Sequence, residues 1–455
     1  MHSRLWQNAK GLINTKMRTL PITLKGLSQR PFVRNVLAVA TGSAVAQAIT
    51  IAFAPVITRM YGPESFGQLG AFMAILVVLT PIAALTYPIA IVLPKKDHEA
   101  LAIAKLSVLL ALVITVLTAV ALYFSADQLV RLLGLQAISG FMMLIPMAMF
   151  FAACMQVAEQ WLIRKGKFSV TARVAIIQSL LLNMSKTGIG LLHPFASTLI
   201  VLAVAGRALH AVMLATGAGL FSGPSSTRTT IAELKGWARI HADFPLFRAP
   251  QVLLNALSQS LPVMLLASLF GPASAGFYTL ARTVMAVPSM LVGKSVSDVF
   301  YPKFTEAAHA GEQLSGLIIK ATAALAVVGA FPFLLVVVLG PWLFQWVFGE
   351  EWQVAGGYAQ WLACWLFFGF INRPSVAAIA ALSLQKFFLV YEVASVFARV
   401  VAIYVGFFVF RSDMVAVAAF SLAGAFLNLL LIATTIMACS RLSVASRNLK
   451  QGVLE

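Results

Sequence analysis

The amino-acid sequence predicts an all-α polytopic membrane protein of about 12 transmembrane helices, arranged as two six-helix lobes that repeat each other in parallel. Three observations predict it. The 455 residues are 60% hydrophobic and 11% charged, with a mean hydropathy of +0.91. A soluble domain is about a quarter charged, so this chain lacks the polar surface to cover itself in water. Second, the apolar residues fall in runs long enough to cross a bilayer, which takes ~20 residues per helix. Third, short segments of the first half recur in the second at a nearly constant spacing. A soluble enzyme or a soluble binding module is excluded.

Breaks at Gly, Pro and charge clusters delimit the spans. In the first half they fall at 35–57, 68–93, 101–124, 138–160, 170–192 and 195–220. In the second half they fall at 244–270, 276–300, 314–340, 353–378, 386–410 and 414–438. The chain thus divides into a basic N-terminal segment 1–33, an N-lobe 34–220, a linker 221–243, a C-lobe 244–440 and a tail 441–455. The linker carries Ser222-Gly223-Pro224-Ser225-Ser226-Thr227, which is turn and loop chemistry. In the N-terminal segment Trp6, Ile13, Met17 and Leu20 interleave with Lys10, Lys16 and Arg18, a pattern that fits an interfacial amphipathic helix or a disordered basic tail. The basic region is longer than the n-region of a signal peptide and the apolar run continues to Arg59, so no cleavage is expected.

The internal echo is visible in the residues themselves. Thr58-Arg59-Met60-Tyr61-Gly62-Pro63-Glu64-Ser65-Phe66-Gly67 is repeated as Ser268-Leu269-Phe270-Gly271-Pro272-Ala273-Ser274-Ala275-Gly276, an offset of 209. Leu93-Pro94-Lys95 returns as Tyr301-Pro302-Lys303 at 208, and Gly166-Lys167-Phe168 as Gln385-Lys386-Phe387 at 219. Six spans per half bring both copies into the membrane from one face, which makes the repeats parallel, the plan of transporters whose two bundles rock about a midplane site.

Charge placement sets the expected orientation. Of 33 Lys and Arg, 24 lie on the side of the termini and only Arg59, Arg131 and Arg411 lie in the opposite loops. The positive-inside rule puts both termini in the cytoplasm. That split also accounts for most of the net charge of +18 without nucleic acid.

The remaining cations sit within spans: Lys186, Arg207, Arg248, Arg282, Lys294 and Arg399, against Asp298 and Glu392. A charge at bilayer depth costs at least ~2.5–3.5 kcal/mol, so it faces a polar cavity or a partner. A cavity with an excess of cations attracts anions, phosphate and pyrophosphate above all, for which Arg supplies paired donors. Helical phase supports a cavity, since Ser43, Gln47, Thr50 and Thr58 share one stripe of the first span, and Arg248, Gln251, Asn255, Gln259 and Pro262 one stripe of the seventh. Elsewhere Ser179, Asn183, Lys186 and Thr187 cluster, Lys294 lies one turn from Asp298, and Glu392, Ser395 and Arg399 align. Each of these serves either a ligand or interhelical bonding. Glu159 is expected to pair with Arg164 and Lys165 at the surface, and Trp342, Trp346 and Trp352 to anchor at the far interface.

Metal, redox and nucleotide chemistry find no footing. Cys154, Cys364 and Cys439 lie in apolar runs, His193 and His309 have no companion ligands, and no GxxxxGK[ST] loop or HExxH is present. No cofactor is expected.

Arg34, Thr41-Gly42-Ser43, Gln47 and the run from Pro55 to Gly67 resemble the opening of Wzx-type polysaccharide flippases. That family is the polysaccharide transporter branch of the superfamily of multidrug and toxin exporters and the lipid II flippase. Phe348-Gly349-Glu350-Glu351-Trp352 with Ala355-Gly356 resembles the second-half signature. The resemblance implies a MATE-like fold and translocation of an undecaprenyl-pyrophosphate-linked oligosaccharide across the bacterial inner membrane, for O-antigen, capsule or exopolysaccharide synthesis. It implies Arg34, Arg59, Arg248 and Arg282 as headgroup contacts, beside Lys186, Gln251, Asn255 and Lys294, with Asp298 and Glu392 as ion-coupling candidates. A polysaccharide polymerase and glycosyltransferases of one pathway are the implied partners. The alternatives are an organic-cation exporter, against which the cationic cavity argues, and a membrane-embedded polymerase, for which the far loops are short.

Overall fold

The computed structural model describes residues 31–219, 230–286, 314–381 and 384–451. The N-terminal segment to residue 30, the Ser222–Thr227 stretch, Lys294, Asp298 and the Tyr301-Pro302-Lys303 echo lie outside the described residues.

The first lobe contains α1 (Pro31–Met60), α2 (Pro63–Ala83), α3 (Asp97–Leu133), α4 (Leu144–Arg164), α5 (Phe168–Gly190) and α6 (Ala196–Ala218). A short α7 (Ile231–Ile240) leads to the second lobe, made of α8 (Ala249–Phe270), α9 (272–286), α10 (Leu314–Phe348), α11 (Gln353–Ile371), α12 (Arg373–Ala381), α13 (Gln385–Phe408) and α14 (Asp413–Gln451). Among the described residues ten helices are long and apolar enough to cross a membrane, and with α4 and α9 they make two sets of six. Successive spans alternate between a terminal face, where α1 starts and α14 ends, and a far face. Leu109, Leu112, Val113, Val116, Leu117 and Val120 are exposed on α3. Such a surface is stable only in lipid.

Two expected spans are shorter than their apolar runs, for local reasons. The run 68–93 is broken: α2 starts directly after Gly62, with Pro63 preset for the first helical turn, and stops at Ala83. Leu85 and Thr86 then adopt positive φ, and Tyr87–Val92 forms a separate 3-10 turn. The run 353–378 is cut at Asn372, next to Pro374, which has no N–H to donate back to Phe370 O and so cannot continue the helical ladder, and α12 begins anew at Arg373. Within the linker, Ile231–Ile240 is helical, opened by a reciprocal cap between Thr230 and Glu233. Trp237 and Phe244 pack against the N-lobe cluster of Ile91, Ile103, Trp161 and Leu214, and Tyr87 Oη donates to Ala238 O at 2.9 Å.

Helix pairing repeats between the lobes. In the first, α3 packs on α4, α4 on α6 and α5 on α6; in the second, α10 packs on α11, α11 on α14 and α13 on α14. These are the same pairs of repeat positions. One pair departs from the rule. α1 lies closely along α5, whereas its counterpart α8 touches α13 only sparsely. A cavity opens there.

The lobes meet at the far face. Gly67 and Gly276, equivalent by the repeat, bring the starts of α2 and α9 into backbone contact: a Cβ on Gly67 would collide with Pro272 O, and one on Gly276 with Pro63 O. Only glycine fits such an approach. The main hydrophobic cluster lies around this closure and draws on both lobes, with Phe72 and Leu76 beside Leu266, Tyr278 and Trp352.

Candidate functional site

Beneath the closure, on the terminal-face side, a cavity of about 650 Å³ opens among α8, α9, α11, α13 and α14. Its walls carry Arg282, Arg373 and Arg399 against one acid, Glu392, with Asn255, Gln259, Asn428, Trp365 and Tyr391 between them. Gln259 lies 11 residues before Phe270 on α8, so the polar level is ~16 Å from the far end of the helix at 1.5 Å per residue.

Local sequence aims these side chains. Arg282 on α9 donates to Gln259 O at 2.6 Å and to Gln259 Oε1 at 3.0 Å, and Gln259 Nε2 donates to Asn255 Oδ1 at 2.8 Å. The polar stripe of α8 therefore orients the guanidinium. Arg399 is held by its own helix through Nε to Ser395 O at 3.0 Å and lies over Trp365 and Phe420, 5.5 and 5.9 Å from the ring centroids. Ring faces support a cation without neutralising it. Arg373 is placed by the break at Asn372, whose Nδ2 donates to Asn428 Oδ1 at 2.8 Å. Among the described residues no carboxylate lies within 4.0 Å of any of these three guanidiniums. Arg399 and Glu392, which share one face of α13, therefore do not form an ion pair. Two residues lining the cavity or its extension toward α12 carry unsatisfied buried atoms, Tyr278 Oη and Asn372 Oδ1.

A second pocket, about 290 Å³, lies between α1 and α5 in the N-lobe. Ser43, Gln47, Thr50, Gln178, Ser179, Asn183 and Lys186 line it, so the predicted stripes of the first and fifth spans do meet. Thr50 and Ser179 hydroxyls are 3.0 Å apart, and Asn183 Nδ2 donates to Ser179 O at 2.7 Å.

The other expected residues fall elsewhere. Arg59 is at the far closure, donating from Nη2 to Trp346 O at 2.7 Å. Arg248 is exposed on a π-turn, Phe244–Arg248, that leads into α8, and donates to Gln251 Oε1 at 2.9 Å. It stands at the terminal-face end of the span, four residues after Phe244 where the span begins, and not at mid-membrane. Arg34 is in the first turn of α1, its side chain outside the described set. Arg207 contacts Met73 Sδ at 3.3 Å. Arg164 and Lys165 pair with Asp97, not Glu159, because Asp97 at the start of α3 is the carboxylate within reach. Trp342 and Trp346 are exposed and stacked as interface anchors should be, but Trp352 is 1% exposed and belongs to the closure. Sequence reasoning missed Arg373, and the adjacent Asn372 and Pro374 were the signal that an interhelix turn lies there.

Comparisons with known proteins agree with this fold. The family described as polysaccharide biosynthesis protein matches residues 56–357. No curated protein sequence matches the chain significantly. In fold the chain is similar to an inward-facing multidrug resistance MATE family transporter of the MOP superfamily, 14% identical over 89% of this chain and 99% of that one, with a TM-score of 0.70. It is likewise similar to the lipid II flippase MurJ in an inward closed conformation, 11% identical over 90% of this chain and 91% of that one, also at 0.70. An outward-facing MATE transporter, 14% identical over 92% and 97% of the two chains, gives 0.57. These likenesses establish a MATE-like fold, and the match over residues 56–357 establishes that the chain belongs to the family of polysaccharide biosynthesis proteins.

Proposed function

We propose that this protein is a flippase that carries an undecaprenyl-pyrophosphate-linked oligosaccharide across the bacterial inner membrane by alternating access, for assembly of a cell-surface polysaccharide. One observation carries the reading: three guanidiniums share one membrane cavity, with no paired carboxylate among the described residues. A pyrophosphate would satisfy them, since guanidinium forks bind phosphate oxygens in pairs. The structure is closed at the far face and open toward the terminal face, the state in which the lipid-linked substrate would load. With both termini in the cytoplasm, as the 24 basic residues on that side argue, loading is cytoplasmic.

Arg282, Arg373 and Arg399 hold the headgroup, Asn255 and Gln259 orient Arg282, and Arg248 with Gln251 attracts it at the mouth. From the sequence, Arg34 and Lys294 are further headgroup contacts, and Asp298 and Glu392 are the coupling acids. Arg59 acts at the closure instead. The protein moves its substrate intact and makes no covalent change; glycosyltransferases supply the substrate and a polymerase consumes it. The organic-cation exporter reading is disfavoured, because three cations against one acid repel such a ligand.

Proteoliposomes loaded with a labelled undecaprenyl-pyrophosphate oligosaccharide test this through leaflet-specific accessibility. Translocation above empty vesicles that drops at least tenfold in Arg399→Gln is the expected result. Folded protein that moves an organic cation but not the lipid-linked sugar overturns it.

A further inference from the structure

The N-lobe pocket is built differently from the C-lobe cavity. It holds one cation, Lys186, with no carboxylate within 4.0 Å among the described residues, and its other walls are hydroxyls and amides. Asn183 is 2% exposed, and its Oδ1 is a buried acceptor with no donor. Its Nδ2, in contrast, is fully used, with Ser179 O at 2.7 Å and the Thr50 and Ser179 hydroxyls at 3.4 Å. Beside them, Ser43, Gln47 and Gln178 put a hydroxyl and two amides on the pocket wall. The backbone under Lys186 is fixed from the far-face side, where Tyr61 Oη donates to Lys186 O at 2.9 Å.

This inventory discriminates between anions. A phosphate diester or pyrophosphate at neutral pH offers acceptors only, and would leave Asn183 Oδ1 unpaired. A ligand that satisfies the pocket brings one negative charge for Lys186 together with hydroxyl donors for the amide and hydroxyl oxygens. A buried acceptor left unmade costs ~1–3 kcal/mol, so the donor requirement matters as much as the charge. We infer that this pocket binds a carboxylated sugar, the uronic-acid type of residue, within the oligosaccharide. The inference deepens the flippase reading and rests on it, with the pyrophosphate assigned to the C-lobe and the acidic sugar to the N-lobe.

Full-length protein in lipid nanodiscs is titrated with methyl β-D-glucuronide, methyl β-D-glucoside and inorganic pyrophosphate, with binding read by ligand-observed saturation-transfer NMR. Glucuronide should bind more tightly than glucoside. Lys186→Gln should weaken glucuronide about tenfold or more, the scale of a lost charge-assisted hydrogen bond, while Lys186→Arg retains most of the affinity. Asn183→Leu should weaken both sugars and leave pyrophosphate unchanged. Gln178→Leu, on the pocket wall, gives the same readout should the Asn183 variant fail to fold. Glucuronide affinity equal in wild type and Lys186→Gln, or displacement of glucuronide by pyrophosphate at equal potency, overturns the assignment. Glucuronide binding that depends on Lys186 in a protein that does not translocate the lipid-linked substrate supports the pocket and overturns the flippase reading alone.

Discussion

Trp352 and Thr58 are joined across the two lobes: the indole N–H of Trp352 donates to Thr58 O at 2.9 Å, and Thr58 Oγ1 in turn donates to Phe348 O at 3.2 Å. The indole stands edge-on to Phe66 of the first lobe and Phe277 of the second, at 5.1 and 6.1 Å. One side chain thus holds polar and aromatic contacts from both halves, and it must be released whenever the far face opens.

Trp352→Phe keeps a ring between Phe66 and Phe277 but removes the donor. A hydrogen bond of this kind is worth about 1 kcal/mol net, so the closed-to-open ratio should fall roughly fivefold. Spin labels at Leu192 and Phe410, exposed in the far-face loops of the two lobes, would report it as growth of a longer distance. An unchanged distribution would remove Trp352 from the closure.

Gly67 and Gly276 allow a sharper test, because the repeat makes them equivalent. Alanine at either position places a Cβ against the opposing Pro272 or Pro63 carbonyl, and backbone cannot swing aside as a long side chain can. Each single substitution should open the far face and reduce transport at least tenfold, and the double substitution should add little, since the closure is already lost. The same label pair and the proteoliposome assay check both statements.

The short helix of the linker should depend on its cap. Thr230 Oγ1 accepts from Glu233 N at 3.3 Å, and Glu233 Oε2 accepts from Thr230 N at 3.0 Å. Thr230→Ala should cost about 1 kcal/mol locally and raise amide hydrogen exchange across Ile231–Ile240 about fivefold, with the spans unaffected. Trp237→Ala should have the larger effect, since it also removes an aromatic body from the N-lobe cluster.

Spans were legible in the sequence because bilayer length and hydropathy act residue by residue, and the seventh span runs from Phe244 to Phe270 as read. The repeat was legible too, through Gly62-Pro63 followed by Gly67 and Gly271-Pro272 followed by Gly276, because the close backbone approach at Gly67 and Gly276 permits few residue types. Depth was not. Arg248 counts within its span like Arg282, yet it stands exposed on the turn that opens that span, and Arg59, expected as a headgroup contact, bonds Trp346 O at the far face instead; hydropathy does not say which charges face a cavity. Trp352 matched an interface anchor by composition, but only packing against Phe66 and Phe277 makes it a lobe contact. Arg373 and Arg399 joined Arg282 through tertiary structure alone, since three different helices bring them together.

That convergence makes a charge-specific prediction. If Arg282, Arg373 and Arg399 act on one anion, replacing any of them by Gln should weaken pyrophosphate binding by about tenfold to a hundredfold, the scale of ~1.5–3 kcal/mol for bonds to a charged group. Arg399→Lys should recover little, because an ammonium cannot lie flat on Trp365 and present two parallel donors. Arg59→Gln should leave pyrophosphate affinity unchanged within about twofold while shifting the far-face distance, since its bond is to Trp346 O and not to the cavity. Isothermal titration of the nanodisc protein separates the two classes. Equal loss in the Arg59 and Arg399 variants would mean that closure and anion binding share one set of residues, and the division of roles drawn from the structure would fail.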